Sequence, residues 1–261
     1  MRIYFAGMGI PKESHYEFRL KDKERKYRFL YSYLEIKNDY ELISKYLDED
    51  QRFLDSGAYS AFTLGKVIDI NDYIRVIKDT GVKLYANLDV IGNWGETNKN
   101  QEYMESKGLK PLPTFHFRSP FDELKRLINK YGYIALGGLV PISRERGKMQ
   151  AWLDSCFSII KDRCRTHAFG VNSIWAWKRY PFYSVDATSW VTGSKFRKIV
   201  EFKNGDLVAH EKMGNSERTM NRMRTIITDY KDLNISNILE YQKMADFVTR
   251  MWENRGIIWE D

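Results

Sequence analysis

The sequence predicts an α/β fold, a (β/α)8 TIM-like barrel with a β-hairpin inserted near its C-terminus. Three observations predict it. Short apolar runs alternate with amphipathic helical stretches along most of the chain, the pattern of βα units around a parallel sheet. Polar or glycine residues recur where those runs end, at Asp55, Asp89, His116, Gly137, Gly138, Asn172 and Asp186, and a barrel gathers such ends on one face. No G-x-G-x-x-G or P-loop follows any run, which counts against a nucleotide-binding doubly wound sheet, the other architecture with this alternation.

The elements read as follows. Arg2 to Met8 is a short apolar run ending near glycine, a strand. Glu13 to Leu34 is charged and aromatic, and RFLYSYLEI within it fits helix or strand. Tyr40 to Leu47 has helical spacing, and Arg52 to Phe62 is a strand feeding a glycine turn. Ile70 to Asp79 is an amphipathic helix, Val82 to Val90 a strand ending in an acid, and a polar helix runs on to Lys107. Leu112 to Phe117, Tyr133 to Leu139, Thr166 to Val171 and Tyr183 to Ala187 are strands; Phe121 to Lys130 and Glu145 to Arg163 are the helices among them. Beyond Asp186 the period changes. Residues 196–211 alternate apolar and polar about Asn204-Gly205, a hairpin turn signal, and residues 218–252 read as C-terminal helices. No linker or repeat interrupts residues 1–261, so the chain is expected to be one domain.

Composition bounds the function. Across 261 residues, 43% are hydrophobic and 15% aromatic, a globular balance. No run approaches the roughly 18 apolar residues of a membrane span, so no membrane partner is expected. The N-terminal stretch reads as a first strand, not a signal peptide. Two cysteines, Cys156 and Cys164, suit a reducing compartment, and the expected location is cytoplasmic. The net charge is +7. Between Lys161 and Lys198 eight basic residues face two acidic ones. That segment is either a solvated surface or a rim for phosphates, where cations gain affinity by releasing counterions.

The stretch from Phe169 to Trp190, FGVNSIWAWKRYPFYSVDATSW, carries the sharpest signal. It reads as a strand end, an aromatic and basic connection, and a second strand delivering Asp186. The candidate nucleic-acid contacts are Trp175, Trp177, Lys178, Arg179, Trp190, Lys195, Arg197 and Lys198, aromatics for stacking and cations for the backbone. Tyr180, Phe182 and Tyr183 could join them; core packing is the competing reading for at least half of these aromatics. The cations near Asp186 are expected to favour its charged form.

Other strand ends supply a pocket. Asp55, Ser56 and Gly57 place a carboxylate, a hydroxyl and a glycine in succession, suited to a tight turn against a planar ligand or to a helix cap. Asp89 ends an apolar run, where a carboxylate can accept paired N–H donors from a guanine-like edge or bond a neighbouring loop. Gly137 and Gly138 leave main chain open to a ligand, or serve close packing. The four histidines (15, 116, 167 and 210) and two cysteines form no metal-ligand spacing, and no G-x-S-x-G occurs. Carboxylates are the well-placed reactive groups, and no metal or other cofactor is expected.

In order and spacing, DSGAYSAF at 55–62, LD at 88–89, YIALGGLVP at 133–141, HAFGV at 167–171 and VDATSW at 185–190 resemble the tRNA-guanine transglycosylases. The SGAY segment and the aromatic late loop look more like the phage-type branch, the 7-deazaguanine DNA transglycosylases. The resemblance covers roughly residues 1 to 195. It implies that Asp186 is the nucleophile attacking C1′ and Asp55 the general acid/base. It implies a base pocket of Ser56, Gly57, Asp89, Gly137, Gly138 and Leu139, with His116 where the family usually has a base-touching glutamine. The family's cysteine-rich zinc module after the nucleophile strand has no counterpart here; the 196–211 ribbon stands in its place. That departure favours DNA over tRNA, with a 7-deazaguanine base as the small-molecule substrate and a homodimer left open. The competing classes are tRNA modification of the same kind, a non-catalytic nucleic-acid-binding barrel, and a sugar-cleaving barrel.

Overall fold

The computed structural model describes residues 1–7, 27–38, 40, 49–191, 198–210 and 230–259. Eight strands form one parallel sheet: β1 Arg2–Ala6, β2 Arg28–Ser32, β3 Arg52–Asp55, β4 Leu84–Tyr85, β5 Thr114–His116, β6 Tyr133–Gly137, β7 Arg165–Ala168 and β8 Ser184–Ala187. Their spatial order is β4-β3-β2-β1-β8-β7-β6-β5. A single parallel bridge between Ala86 and Leu112 joins the two ends. Leu112 N–H donates to Tyr85 O at 2.8 Å and Asn87 N–H to Leu112 O at 3.0 Å. The sheet thereby curls round on itself as a (β/α)8 TIM-like barrel.

Strand alternation sorts the side chains. Tyr4, Ala6, Leu30, Phe53, Ala86, Leu112 and Ala135 fill the interior, with Leu84, Tyr133 and Phe169 packed against them. Ile3, Phe5, Phe29, Ile134, Leu136 and Val185 point outward into the layer beneath the helices. The connecting helices are α1 Tyr33–Ile36, α2 Ala58–Thr63, α3 Ile70–Thr80, α4 Trp94–Ser106, α5 Phe121–Lys130, α6 Arg146–Ile160 and α7 Ile174–Arg179. α3 shows why its sequence stops and starts where it does. Asp69 Oδ1 accepts the N–H groups of Asn71 (2.7 Å) and Asp72 (3.2 Å), and Gly81 ends the helix at φ 62°.

The ambiguous RFLYSYLEI is both things: β2 through Ser32, then the single turn α1. The expected strand over Val82–Val90 is shorter than its apolar pattern. After Ala86 the chain leaves the ladder because α4 satisfies it instead. Asn87 Nδ2 donates to Thr97 O (2.8 Å), Val90 N–H to Thr97 Oγ1 (2.9 Å) and Asn100 Nδ2 to Leu88 O (2.8 Å). The aromatic connection before Asp186 is also not a loop; it is α7.

The insertion is a separate antiparallel hairpin, β9 Ile199–Lys203 and β10 Asp206–His210. Asn204 and Gly205 both hold positive φ, 52° and 81°, as a two-residue turn of this hand requires. The last helix, α8 Tyr230–Glu253, buries Ile235, Ile238, Tyr241, Met244, Ala245, Val248 and Trp252. The helical readings at 41–47 and 218–229 lie outside the described residues. No helix among the described residues is long and apolar enough to cross a membrane.

Candidate active site

Asp55 is the last residue of β3 and lies two positions beyond the interior Phe53, so it faces inward at the C-terminal mouth. Its Oδ2 accepts the N–H of Gly57 at 3.0 Å. Gly57 needs its glycine: φ is 73°, and a Cβ there would stand 2.6 Å from Ser32 Oγ and 2.9 Å from Leu34 Cβ. Ser56 is buried, and its Oγ lies 3.4 Å from the accepted N–H of Ala58. α2 has no side-chain cap, so Asp55 serves the turn and not the helix.

Asp89 follows β4, and His116 ends β5. Their side chains meet, His116 Nε2 to Asp89 Oδ2, at 3.0 Å, and each is mostly buried. The other oxygen, Asp89 Oδ1, is buried without a hydrogen-bond partner. Burial pushes the His116 imidazole down, but the charge and hydrogen bond of Asp89 together outweigh it and raise its pKa. Beside the pair, Gly137 lacks a side chain for cause: a Cβ would stand 2.8 Å from Thr114 Cγ2. Gly138, at φ 71°, leaves exposed main chain at the rim. Leu139 turns its side chain into the core.

Asp186, on β8, is only 7% exposed. Its Oδ1 accepts the N–H of Gly170 at 2.8 Å, and His167 Nε2 stands 3.6 Å from the same oxygen. Tyr4 of β1 is its register partner, an interior residue, so Asp186 faces the barrel interior. The three acids are close enough to act on one another. Burial, then the charges of Asp89 and Asp186, lift Asp55 from the ordinary 3.8 to about 7, against the Gly57 N–H that pulls it down. The mouth thus pairs a carboxyl poised to hold a proton near neutrality with a second one fixed by a backbone donor, a division of roles that acid–base chemistry uses.

Two expected nucleic-acid contacts are corrected. Trp177 is fully buried, its Nε1–H donating to Val171 O at 2.7 Å, and Trp190 is buried with Nε1–H on Ala6 O at 2.9 Å. Tyr180, Phe182 and Tyr183 are buried too. An aromatic row on the outside of a barrel strand or inside its helix packs the core, and nothing of those rings is left for stacking. Trp175 is half-buried, with the Arg146 guanidinium 4.9 Å over its ring. Lys178 pairs with Asp206, and Arg179 with Asp154 at 3.0 Å. Both end α7, which runs back toward the N-terminal ends of the strands, so they hold those acids and not Asp186. Lys198 is half-buried; Lys195 and Arg197 lie outside the described residues.

Sequence reading assigned no site role to His167, Ser184, Tyr133, Gly170 or the rim. His167, Ser184 and Tyr133 are polar residues at inward-facing positions of β7, β8 and β6, a signal that the alternation itself carries. The rim has Tyr59, Phe62, Leu64, Trp94 and Val140 exposed in the connections after β3, β4 and β6, with exposed Arg118, Arg144 and Arg146 in those after β5 and β6. Among the described residues no group of three or more His, Cys, Asp or Glu is arranged to hold a metal ion.

Fold and site together define a (β/α)8 barrel with three carboxylates at its C-terminal mouth. No family model and no curated protein matches the chain. Among solved structures it is similar to a thiamine phosphate pyrophosphorylase from Bacteroides thetaiotaomicron, 9% identical over 95% of this chain and 98% of that one, with a TM-score of 0.43. At that distance the likeness bears on neither substrate nor chemistry.

Proposed function

We propose that the protein is a base-exchanging transglycosylase that replaces guanine in DNA with a 7-deazaguanine base through a covalent aspartyl–glycosyl intermediate. The observation that carries this reading is the convergence of Asp55, Asp89 and Asp186 at one mouth, with Asp55 raised to about 7. In the first step an oxygen of Asp186 bonds to C1′ as the C1′–N9 bond breaks, and the departing electron pair stays on guanine, which takes a proton from Asp55. In the second, Asp55 accepts the N9 proton of the incoming base, whose nitrogen attacks C1′ and releases Asp186. The sugar never meets free water, the reason retaining glycosyl transfer uses a carboxylate relay.

Asp89 Oδ1, buried and unpartnered, suits an N–H of a guanine edge, and the open main chain at Gly138 suits a flat ring. A base stacked in a duplex cannot reach this mouth, so the substrate nucleotide is flipped out or single-stranded. Arg118, Arg144 and Arg146 on the same face suit the phosphates flanking it. The test is incubation with radiolabelled guanine and either DNA or tRNA. Label enters DNA and not tRNA, and Asp186→Ala, still folded by circular dichroism, incorporates at least about 1,000-fold less. Label in neither polymer overturns the reading; label in tRNA alone replaces the polymer; Asp186→Asn at full rate removes the nucleophile assignment.

A further inference from the structure

A line of polar side chains crosses the barrel interior, a space that otherwise holds apolar and aromatic groups. Tyr133 Oη lies 2.5 Å from Ser184 Oγ, and Ser184 Oγ lies 2.7 Å from His167 Nδ1. His167 is fully buried, boxed edge-on by Tyr4, Phe53 and Phe169 at 6.1, 4.9 and 4.5 Å between ring centres. Its Nε2 has no hydrogen-bond partner and points at Asp186 Oδ1 from 3.6 Å.

The direction of the chain follows from its ends. Ser184 can give its single proton to Tyr133 or to His167. If it gives to Tyr133, the phenol proton has no acceptor among the described residues, and His167 must place its proton on Nδ1. The bare Nε2 lone pair then faces the Asp186 carboxyl, acceptor against acceptor. If Tyr133 gives to Ser184 and Ser184 to Nδ1, both hydroxyl protons have acceptors and the remaining ring proton sits on Nε2, facing the Asp186 carboxylate from 3.6 Å. A polar group left unmatched away from water is costly, so the second arrangement wins at the Tyr133 end, and at the Asp186 end it turns a proton instead of a lone pair toward the carboxylate. Burial holds the imidazole below its ordinary pKa, opposed by Asp186, and holds the Tyr133 phenol far above its own.

We propose that Tyr133, Ser184 and His167 form a one-way hydrogen-bond chain that fixes His167 as its Nε2–H tautomer and, with the Gly170 N–H, engages Asp186 Oδ1. The role rests on the reading of Asp186 as nucleophile. With the Gly170 N–H bonded to Oδ1 at 2.8 Å and the His167 Nε2–H facing the same oxygen from 3.6 Å, Oδ2 is the oxygen that attacks C1′, and Oδ1 becomes the carbonyl oxygen of the glycosyl ester. His167 and Ser184 are positioning residues; neither touches the base or the sugar.

The chain is tested on the free protein by nitrogen NMR of 15N-histidine-labelled samples at neutral pH, with His167 assigned by loss of its signals in His167→Gln. Wild type shows a neutral imidazole with Nε2 protonated, and Asp186→Ala keeps that tautomer because it is set from behind. Ser184→Ala loses it and gives a mixture. A wild-type Nδ1–H tautomer or an imidazolium overturns the proposal, as does a Ser184→Ala spectrum identical to wild type. The role is read by exchange kinetics: His167→Gln, whose amide N–H can replace Nε2–H, retains kcat within about 10-fold, whereas His167→Phe loses about 100-fold or more with KM for the base unchanged. Equal losses in the two variants remove the positioning role. A wild type that exchanges no base overturns the nucleophile reading, and the imidazole spectra decide the chain without it.

Discussion

Asp55 Oδ2 takes the N–H of Gly57 at 3.0 Å, so the acid whose charge the mouth most opposes is clamped by the turn that follows it. Burial and two neighbouring carboxylates raise its pKa from 3.8 to about 7. The native state therefore binds that proton more tightly than the unfolded chain. The contribution to stability is full below the unfolded value and is lost as pH rises through about 7. Asp55→Asn, which removes the charge but not the shape, gains stability over wild type on the order of 3 kcal/mol at about pH 8, and the gain vanishes near pH 4. Urea midpoints measured across that range check it. The proposed base exchange, whose first step would draw its proton from Asp55, is expected to fall in wild type as pH rises above about 7.

His116 owes its raised pKa to Asp89 alone, since burial pulls the other way. Asp89→Asn deletes the charge and leaves the burial, so the imidazole titrates below its ordinary 6.5. Proton NMR titration of the His116 ring reads this directly. An unchanged midpoint separates the pair.

Asn237 is fully buried and spends its whole amide on the hairpin connection. Its Nδ2 donates to Trp190 O (3.0 Å) and Lys198 O (3.1 Å), and its Oδ1 accepts the Val200 N–H (2.9 Å). One turn on, Glu240 Oε2 accepts the Phe202 N–H at 2.8 Å. Asn237→Ala strands two buried backbone groups, at Trp190 and Val200, and a half-buried one at Lys198, and is expected to cost about 2–4 kcal/mol, measured by denaturant unfolding. Asn237→Asp, which keeps the acceptor but loses both donors, is expected to recover only part.

Much of this was legible in the chain because a barrel strand announces its own end. Asp55, Asp89, His116, Gly137 and Asp186 each close an apolar run, and the structure brings all five to one mouth. The Asn204-Gly205 turn was equally plain, since both positions need positive φ. What misled was composition read without direction. Tryptophans beside lysines resemble a stacking platform, but whether Trp177 faces bases or the sheet depends on a helical period over six residues, too short to show. The β4 strand was overread because Asn87, Thr97 and Asn100 take over its hydrogen bonds, and partners ten residues off leave no periodic trace. His167 lies within a short strand pattern, and its partners Ser184 and Asp186 both come from β8, 17 and 19 residues on.

The barrel is not equally fastened all round. Between β4 and β5 the hoop closes through two backbone hydrogen bonds at Ala86 and Leu112, whereas β1 and β8 share four register pairs. The Asp89–His116 contact crosses that same thin seam just above it. A ligand seated on Asp89 would therefore load the latch of the hoop as well as the pocket. Hydrogen exchange at the Asn87 and Leu112 amides, which make those two bonds, is expected to gauge occupancy, slower with the mouth filled than empty.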